Sequence, residues 1–328
     1  MKAERILVTG ACGFIGSRLT EMLINHGLEV VAFDRYNSDN YEGWLGESEC
    51  RSQIDVILGD IRDFDSVERA ARGCTGIIHL AALIGIPYSY ISPLAYVRTN
   101  IEGTYNVLEI ARKASIDNVV VTSTSETYGS AQYVPIDEEH PLVGQSPYSA
   151  TKIGADQLAL SYVKSFGTPL KIARPFNTYG PRQSSRAVIP NIIRQLADPS
   201  GSLQLGNITP TRDFTFVDDT CAGILAVFAS EKFIGEVANI GSGFEISIGD
   251  LAKRIAMLMK RTINIKVDQE RIRPEDSEVS RLFCDNTKIR SCTNWKPKYS
   301  LDEGLKATIK WHESQGGGHT NARATYNV

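Results

Sequence analysis

Tyr148 and Lys152 are the residues of this sequence whose types and spacing best suit acid–base chemistry. They follow Pro147 and open an apolar-periodic segment, which predicts a helix over Pro147–Phe166. Because side chains four positions apart share one face of a helix, the lysine ammonium is expected beside the phenol, where it lowers the phenol pKa. Such a pair can take a proton from a substrate hydroxyl near neutral pH. A packed tyrosine next to a solvated lysine is the structural alternative.

A second candidate base lies in the segment 122–129, which reads TSTSETYG and follows a predicted strand over 118–123. The segment falls at the carboxyl edge of the predicted sheet, where doubly wound folds bind their ligands. Thr124 can hydrogen-bond a reacting hydroxyl, and Glu126 can remove a proton from carbon. A plain hydride-transfer site has no need of that second base, so Glu126 indicates further chemistry. A surface glutamate that caps a turn is the alternative.

Three glycines, Gly10, Gly13 and Gly16, follow a predicted strand over Arg5–Thr9 and precede a predicted helix over 14–26. In this order of strand, loop and helix, the first glycines permit a tight turn close to a pyrophosphate, and the third lets helix and strand pack closely. The helix amides then face the phosphates. The pattern predicts a dinucleotide site, against the alternative of a glycine turn used only for packing.

Asp34 ends the next predicted strand, over 30–34, 18 residues after the third glycine. A carboxylate there can accept hydrogen bonds from the adenosine ribose and repel a 2′-phosphate, which favours NAD over NADP. The adjacent Arg35 weakens that preference. Asp60 and Ile61 end a predicted strand over 54–60, where an adenine could lie; a cap on the strand end is the alternative reading.

These side chains must be positioned by an α/β fold. Predicted strands over Arg5–Thr9, 30–34, 54–60, 76–82 and 118–123 are apolar on both faces and alternate with helical segments, which predicts a doubly wound, Rossmann-type parallel sheet. We expect a NAD-binding domain over 1–176, a smaller C-terminal α/β substrate lobe over 177–314 and a flexible tail over 315–328, with 213–241 partly returning to the first domain.

The second half of the sequence has a different pattern of predicted elements. It predicts helices over 189–196, 218–229, 248–259 and 301–311 and strands over 213–217 and Val237–Ile240. Ser247 with Asp250, and Ser300 with Glu303, have the spacing of capping boxes at the last two helices.

Composition excludes several classes of protein. The 328 residues carry 35 basic and 38 acidic side chains, a net charge of −3 that gives no general attraction to nucleic acid or anionic membranes. No apolar run reaches the roughly 18 residues of a membrane span, and we expect no membrane partner. The six cysteines form no CxxC pair, so we expect no metal site, and reduced thiols in the cytoplasm are the simplest interpretation.

The motifs together resemble those of the extended short-chain dehydrogenases/reductases that act on nucleotide sugars, over nearly the whole chain to about residue 311. They are TGACGFIG (9–16), HLAA (79–82), TSE (124–126), the tyrosine–lysine pair, RPFNTYGPR (174–182) and TRDFTFVDD (211–219). Ser125–Glu126 is the pair found in 4,6-dehydratases of the GDP-mannose type. The segments 86–90 (IPYSY), 182–190 (RQSSRAVIP) and 209–213 (TPTRD) look most like bacterial UDP-N-acetylglucosamine 4,6-dehydratases, including those of legionaminic acid pathways.

The resemblance implies a redox-neutral dehydration. Tyr148, helped by Lys152, takes the C4 hydroxyl proton while hydride passes from C4 to NAD. Glu126 then removes the C5 proton, the C6 hydroxyl leaves as water, and hydride returns to C6 to give a 4-keto-6-deoxy sugar. The dTDP-glucose enzymes place an aspartic acid where this chain has Ser125, so which of Ser125 and Glu126 protonates the leaving hydroxyl stays open.

The resemblance also implies the residues that bind the ligands. Further cofactor contacts are expected from Phe14, Ile15, Leu80, Ala81 and Ala82. Nucleotide-sugar contacts are expected from Tyr88, Asn177, Arg182, Val188, Arg212, Arg273 and Glu275, with guanidinium forks on the diphosphate and Glu275 at a ribose. A homodimer through helices over 93–114 and Pro147–Phe166 is expected, against a monomer in which these helices only cover the sheet.

Three other functions remain open at this stage. A UDP-glucuronate decarboxylase also tends to carry TSE, but it usually has an arginine before the catalytic tyrosine, where this chain has Pro147. A 4-epimerase usually has a small residue in place of Glu126. A catalytically silent NAD-binding regulator would keep only the fold. The nucleotide base, the C5 stereochemistry and the pathway are not specified by these motifs.

Overall fold

Three sheets organise the chain. The structure is a computed structural model that describes residues 4–198 and 202–315. Its strands are β1 (Arg5–Thr9), β2 (Glu29–Arg35), β3 (Ile54–Gly59), β4 (Gly76–His79), β5 (Asn118–Thr122), β6 (Leu170–Pro175), β7 (Asn177–Tyr179), β8 (Ser202–Leu205), β9 (Thr211–Phe216), β10 (Val237–Ile240), β11 (Glu245–Ser247) and β12 (Asn264–Val267). Seven strands form one parallel sheet in the order β10-β6-β5-β4-β1-β2-β3. The predicted doubly wound α/β fold is confirmed.

The helices are α1 (Phe14–Asn25), α2 (Phe64–Ala71), α3 (Ile86–Ile91), α4 (Pro93–Tyr96), α5 (Gly103–Lys113), α6 (Pro147–Phe166), α7 (Val188–Ala197), α8 (Val217–Ala229), α9 (Ile248–Leu258), α10 (Thr287–Cys292) and α11 (Leu301–Ser314). Both faces of the large sheet are covered, by α1 and α8 on one side and by α2, α5 and α6 on the other. Side chains of β1 alternate between the two faces: Ile6 and Val8 join the hydrophobic cluster under α1 and α8, and Leu7 joins the cluster under α5 and α6. This two-sided burial explains the unbroken apolar runs of the strands.

The predicted single helix over 93–114 is interrupted, because a π turn, Val97–Glu102, joins α4 to α5. The turn contains the buried Asn100, whose Nδ2 donates to the main-chain oxygen of Leu83 and to the hydroxyl of Thr151, each at 3.0 Å. Its Oδ1 accepts from Leu83 N at 2.9 Å. The wider turn thus coincides with a buried amide that ties this helix to α6 and to the loop after β4.

The second half contains more strands than the sequence predicts. β7, β9 and β11 form a three-stranded sheet, β8 pairs with β12, and β10 adds to the edge of the large sheet beside β6. The short β7, β8 and β12 carry too few residues to show a period of two, which explains why the sequence did not predict them. The domain boundaries stay predictions, and the predicted tail, apart from its first residue, lies outside the described residues.

Two caps differ in a way that side-chain length explains. Ser300 and Glu303 form a complete capping box at α11. At α9, Asp250 N donates to the Ser247 hydroxyl at 3.0 Å, but the Asp250 carboxylate accepts from that hydroxyl instead of from the serine main chain. The predicted box is therefore only half formed, because aspartate is one methylene shorter than glutamate.

The predictions about membrane spans, metal sites and cysteines can be compared with the described residues. No helix within 4–198 and 202–315 is long and apolar enough to cross a membrane. In the same ranges no group of three or more His, Cys, Asp or Glu side chains has the arrangement of a metal site. All six cysteines are free thiols.

Candidate active site

The glycine loop joins β1 to α1 at the carboxyl edge of the sheet, where the strand order reverses between β1 and β4. Gly10 has a φ of +72°, and a Cβ there would lie 2.9 Å from the main-chain nitrogen of Ala81. A Cβ on Gly16 would lie 2.1 Å from the main-chain oxygen of Gly10. Gly13 is the exposed residue before α1, and that helix has no side-chain cap. The loop therefore needs its glycines and leaves the first amides of α1 uncapped.

Residues 80–82 complete this edge. The sequence predicts them within a strand, but β4 ends at His79. Leu80 N donates to Thr9 O at 3.1 Å, and Ala81 N donates to the Thr9 hydroxyl at 3.3 Å. The segment thus leaves the sheet and passes over the glycine loop, as the close approach of Ala81 to Gly10 requires.

Asp34 lies beside the same loop at the end of β2. One of its carboxylate oxygens accepts from Cys12 N and the other from Arg35 N, each at 2.7 Å. Asp60 follows β3 and accepts from Arg62 Nε at 2.9 Å, a bond that lowers its pKa. Ile61 is buried. The two carboxylates thus end adjacent strands, and Asp34 is fixed directly on the glycine loop.

Tyr148 and Lys152 are both buried in the first turns of α6, which starts with a serine capping box and a proline. Burial raises the pKa of Tyr148, and the neighbouring Thr124 hydroxyl opposes that rise. Lys152 Nζ donates to Thr122 O at 2.7 Å, and burial lowers its pKa. The sequence predicts that Lys152 lowers the pKa of Tyr148; in this structure burial dominates and the ammonium is bound to β5 instead.

Glu126 lies in a 3-10 turn, Ser125–Tyr128, that directly follows β5. Glu126 N donates to the Thr124 hydroxyl at 3.3 Å, so Thr124 both caps this turn and neighbours Tyr148. Ser125 and Glu126 are buried. The charge of Glu126 acts on both Tyr148 and Arg212: it adds to the rise that burial causes in the pKa of Tyr148 and opposes the fall that burial causes in the pKa of Arg212. A phenol, a hydroxyl and a carboxylate therefore converge at one strand end.

A cluster of charges joins β9 to the segment 273–278. Arg212, buried on β9, has Nη2 3.3 Å from Glu278 Oε1, and Nη1 donates to Thr211 O at 2.9 Å. Arg273 Nη1 lies 3.7 Å from the same Glu278 oxygen and makes no hydrogen bond. Burial lowers the pKa of Arg212, and the charges of Glu126 and Glu278 oppose that shift. Two guanidinium groups are thus held together by one carboxylate oxygen.

The sequence matches a family model described as GDP-mannose 4,6 dehydratase over residues 7–308. The chain belongs to this family. A UDP-N-acetyl-alpha-D-glucosaminuronate decarboxylase of Bacillus cytotoxicus is 33% identical over 94% of this chain and 97% of its own. A UDP-glucuronate 4-epimerase of Thermodesulfobacterium geofontis is 33% identical over 93% of this chain and 95% of its own.

A solved structure agrees with the family assignment. The dTDP-glucose 4,6-dehydratase of Streptomyces venezuelae, crystallised with NAD, has a TM-score of 0.86 and 30% identity, and the match covers 96% of this chain and 98% of that one. This protein is thus one of the extended short-chain dehydrogenases/reductases. These enzymes include nucleotide-sugar dehydratases, decarboxylases and epimerases. The predictions of the family, of an enzyme and of NAD as the family's cofactor are confirmed at this level.

Two of the residues predicted to bind the nucleotide sugar, Asn177 and Arg182, differ in whether their polar atoms are already bound within the protein. Asn177, on β7, has a buried Oδ1 without a hydrogen-bond partner. Arg182 donates to Glu21 at 2.9 Å and to the Ser17 hydroxyl at 3.2 Å, so its guanidinium is tied to α1. Its diphosphate contact stays a prediction, and one that would require this ion pair to break.

Three other predicted positions are peripheral to the charge cluster. Tyr88, on α3, is exposed, and its ring contacts Tyr96, which contacts Tyr148, with 6.2 Å between centroids in each pair. Val188 begins α7 and is half-buried. Glu275 is exposed and begins a 3-10 turn.

Sequence reasoning missed Glu278 and Gln145. Glu278 lies three residues after Glu275 and carries the ion pairs to both arginines. Gln145, three residues before Tyr148, joins the Glu126 loop to the segment that carries Arg273. The sequence contains no spacing signal for either residue, because both reach distant partners. Glu278 pairs with Arg212, 66 residues earlier, and Gln145 donates to Asp276 O, 131 residues later.

Proposed function

We propose that this protein is a NAD-dependent nucleotide-sugar 4,6-dehydratase whose substrate is UDP-N-acetylglucosamine. The observation that carries the proposal is Glu126, a buried carboxylate close to both Tyr148 and Arg212. A second base next to the tyrosine is what removal of a C5 proton needs. The choice of sugar rests on the motifs in 86–90, 182–190 and 209–213 that resemble UDP-N-acetylglucosamine dehydratases.

The residues at the edge of β1 and β2 fit NAD. Gly10 and Gly16 leave no room for a Cβ, which lets the main chain approach a pyrophosphate closely. Asp34 offers carboxylate oxygens at the position expected for the adenosine ribose. NAD, when bound, accepts a hydride from the sugar and later returns it, so the reaction is redox-neutral.

Tyr148 takes the proton of the sugar C4 hydroxyl in this proposal. Thr124 is close enough to hydrogen-bond the same reacting oxygen, since it already neighbours the phenol. Lys152 lies one helical turn away, and its ammonium, which donates to Thr122 O in this structure, would favour the phenolate form that accepts the proton if it turned towards the phenol. Burial raises the pKa of Tyr148, so the proposed base needs such a partner, or the bound ligand, to offset that burial.

Glu126 then acts at C5 and C6. Its carboxylate takes the C5 proton, which the C4 ketone has acidified, and the electron pair of that bond forms the C5–C6 double bond as the C6 hydroxyl leaves. The proton on Glu126 can be passed to that hydroxyl so that water departs. Ser125, the neighbouring buried hydroxyl, is the other candidate donor. After water has left, C6 would receive the hydride back from the nicotinamide and C5 would take a proton from solvent, while Tyr148 releases the C4 hydroxyl proton, so the net loss is one water.

The same carboxylate separates the proposed reaction from one of its alternatives. A 4-epimerase acts only at C4 and has no use for a base at C5. A UDP-glucuronate decarboxylase tends to carry the same TSE segment, so against that reaction the proposal rests on Pro147, which stands where those enzymes usually have an arginine.

Product masses test this proposal. The NAD-loaded protein is incubated separately with UDP-N-acetylglucosamine, GDP-N-acetylglucosamine, dTDP-glucose and UDP-glucuronate, and the products are analysed by mass spectrometry. Loss of water from UDP-N-acetylglucosamine is the expected result. Loss of carbon dioxide from UDP-glucuronate would make the protein a decarboxylase, and an isomer of unchanged mass would make it an epimerase. No turnover of any sugar by protein that holds NAD would indicate a silent regulator.

A homodimer is also part of the proposal. Leu94, Val97, Tyr105 and Phe166 lie on the helical segments of the predicted interface and are 42% to 58% exposed. Burying such a row of apolar side chains against a second copy is favourable, and a two-fold dimer is the commonest way to do it. Sedimentation at micromolar concentration should give twice the 36.1 kDa chain mass. A mass of one chain would refute the dimer.

A further inference from the structure

Residues 273–280, here called the strap, carry Arg273 and Glu278 and are held by side chains from three distant parts of the chain. We propose that Tyr90 and Gln145 are positioning residues that fix the strap against the catalytic loop and so place Arg273 for the substrate diphosphate. This inference rests on the proposed nucleotide-sugar function. It concerns two residues for which neither a cofactor contact nor a catalytic role is predicted.

The first tie comes from α3. Tyr90 OH and Ser277 Oγ are 2.6 Å apart, across 187 residues of chain. Tyr90 is 37% exposed, so burial of its ring does not by itself fix its position. A hydrogen bond of this length between two half-exposed side chains restrains both segments. Tyr90 therefore holds the strap on the helix that also carries Tyr88.

The second tie is the amide of Gln145, which bonds in two directions. Its Oε1 accepts from Ser130 N at 2.5 Å, and its Nε2 donates to Asp276 O at 3.0 Å. Ser130 follows Gly129, whose φ of +65° ends the turn that contains Glu126. One side chain thus joins the strap to the loop of the candidate base.

A third contact completes the attachment. Ser130 Oγ donates to Glu278 O at 3.4 Å and accepts from Ser280 N at 3.1 Å. On its other side the end of the strap is joined to β9: Thr211 N donates to Ser280 O at 3.1 Å, and Glu278 pairs with Arg212 at 3.3 Å. These contacts hold residues 278–280, so the position of Arg273, at the start of the strap, depends on the ties from Tyr90 to Ser277 and from Gln145 to Asp276.

The two ties predict different kinetic effects. Loss of the Tyr90–Ser277 bond frees only the strap, so it should raise KM and leave kcat unchanged. Loss of the whole Gln145 amide in Gln145→Ala also frees the Glu126 loop, so it should raise KM and lower kcat. Gln145→Glu keeps an acceptor for Ser130 N and loses the donor to Asp276 O. It should therefore raise KM while kcat stays within about twofold of wild type.

Hydrogen exchange on the NAD-loaded full chain tests the ties before any substrate is added. Amides within 273–280 should exchange roughly 2- to 10-fold faster in Tyr90→Phe and Gln145→Glu, the range that loss of one hydrogen bond predicts. Tyr133→Phe and Gln195→Glu are matched controls. Tyr133 loses a bond of 2.7 Å to Asp137, and Gln195 loses one arm of a similar amide fork on Gln204. Neither control should change exchange in the strap.

Binding and kinetics test the consequence. UDP affinity, measured by calorimetry, should fall and KM should rise by a similar 2- to 10-fold factor in Tyr90→Phe and Ser277→Ala. The double variant should match either single variant, because both remove one bond. Ser277→Thr, which keeps the hydroxyl, should restore wild-type values, and this rescue separates the tie from a general loss of fold.

Failure of this inference and failure of the proposed function give different results. Unchanged strap exchange in every variant would overturn the inference, as would additive effects of Tyr90→Phe and Ser277→Ala. Faster strap exchange without any change in UDP affinity would also overturn it, because the strap would then not position the nucleotide. Failure of the proposed function is a different result: wild-type protein would bind no UDP and release no water from any nucleotide sugar.

Discussion

At the cofactor end of the site the chain offers mainly its backbone, whereas at the nucleotide-sugar end it offers charged side chains. Gly10 and Gly16 permit a close turn within a segment of seven residues, and Asp34 is bound to that segment by the Cys12 amide. At the other end, Arg212 and Arg273 come from segments 61 residues apart and share one oxygen of Glu278. The first end is built locally, and the second exists only once the whole chain has folded.

This difference has an electrostatic side. The nucleotide-sugar end already contains two guanidinium groups facing two carboxylates, Glu126 and Glu278, so its charges nearly cancel. A diphosphate must therefore compete with Glu278 for the same donors. At the cofactor end, the first amides of α1 have no side-chain cap that would compete with a phosphate. We expect substitutions at the two ends to act on different ligands, and the largest effect to come from Glu126 between them.

Glu126→Gln should lower the rate of dehydration by about 10²- to 10⁴-fold, the usual cost of losing a general base. The amide keeps the shape of the side chain but cannot take the C5 proton. Reduced-nicotinamide absorbance should still appear on addition of substrate, and it should persist, because oxidation at C4 needs only Tyr148, Lys152 and Thr124. In wild type the same signal should be transient.

Tyr148→Phe is the control for this experiment, since it should abolish the absorbance by blocking the first proton transfer. Deuterated water adds an independent measurement: wild-type product should gain deuterium at C5, and Glu126→Gln should not introduce it. Turnover of Glu126→Gln at the wild-type rate would remove Glu126 from the mechanism and leave chemistry at C4 only, as in an epimerase.

Arg212→Gln tests the charged end. It should raise KM for the nucleotide sugar by roughly 10- to 150-fold, equivalent to the about 1.5–3 kcal/mol of a hydrogen bond to a charged group. NAD retention should not change. Arg182→Gln is the comparison, because Arg182 is bound to Glu21 and Ser17 on α1. It should change KM less than threefold and lower the free energy of unfolding by about 1 kcal/mol. An equal rise in KM for both variants would support the predicted contact of Arg182 with the diphosphate.

Gly16→Ala tests the backbone end. The new Cβ would lie 2.1 Å from Gly10 O, so α1 or the loop must move, at a cost of about 1–3 kcal/mol. Less NAD should remain bound after gel filtration, and UDP affinity should be unaffected. Gly46→Ala is the control, because its Cβ would meet nothing closer than 3.6 Å. Full NAD retention in Gly16→Ala would show that the close packing of this loop is not required.

The same division explains what could be predicted from the sequence. The glycine loop, the strand end at Asp34 and the Tyr148–Lys152 pair lie within short segments whose spacing fixes their geometry, and the structure brings each to the carboxyl edge of the sheet. The role of Glu278 could not be predicted, because its partners are 66 residues away and five residues before it. Nor could burial of Tyr148, which raises its pKa, since burial depends on the packing of α3 and α4 as well as α6.

Asp34→Ala should have the most specific effect. Its carboxylate is predicted to accept hydrogen bonds from the adenosine ribose, so its loss should weaken NAD binding by about 1–3 kcal/mol. The carboxylate also accepts from Cys12 N and Arg35 N, and Asp34→Asn keeps one of its oxygens. The asparagine variant should therefore retain the loop and lose mainly the charge.

The charge is what discriminates against a 2′-phosphate, so both variants should narrow the preference for NAD over NADP, with Arg35 free to pair with the phosphate. Calorimetric titration of cofactor-stripped protein with each dinucleotide measures this ratio. If Asp34→Ala weakened NAD and NADP equally, Asp34 would act only by holding Cys12 N and the loop. If denatured wild-type protein released NADP instead of NAD, the assignment of Asp34 to the ribose would be wrong. The backbone end would then bind its cofactor through glycines and helix amides alone.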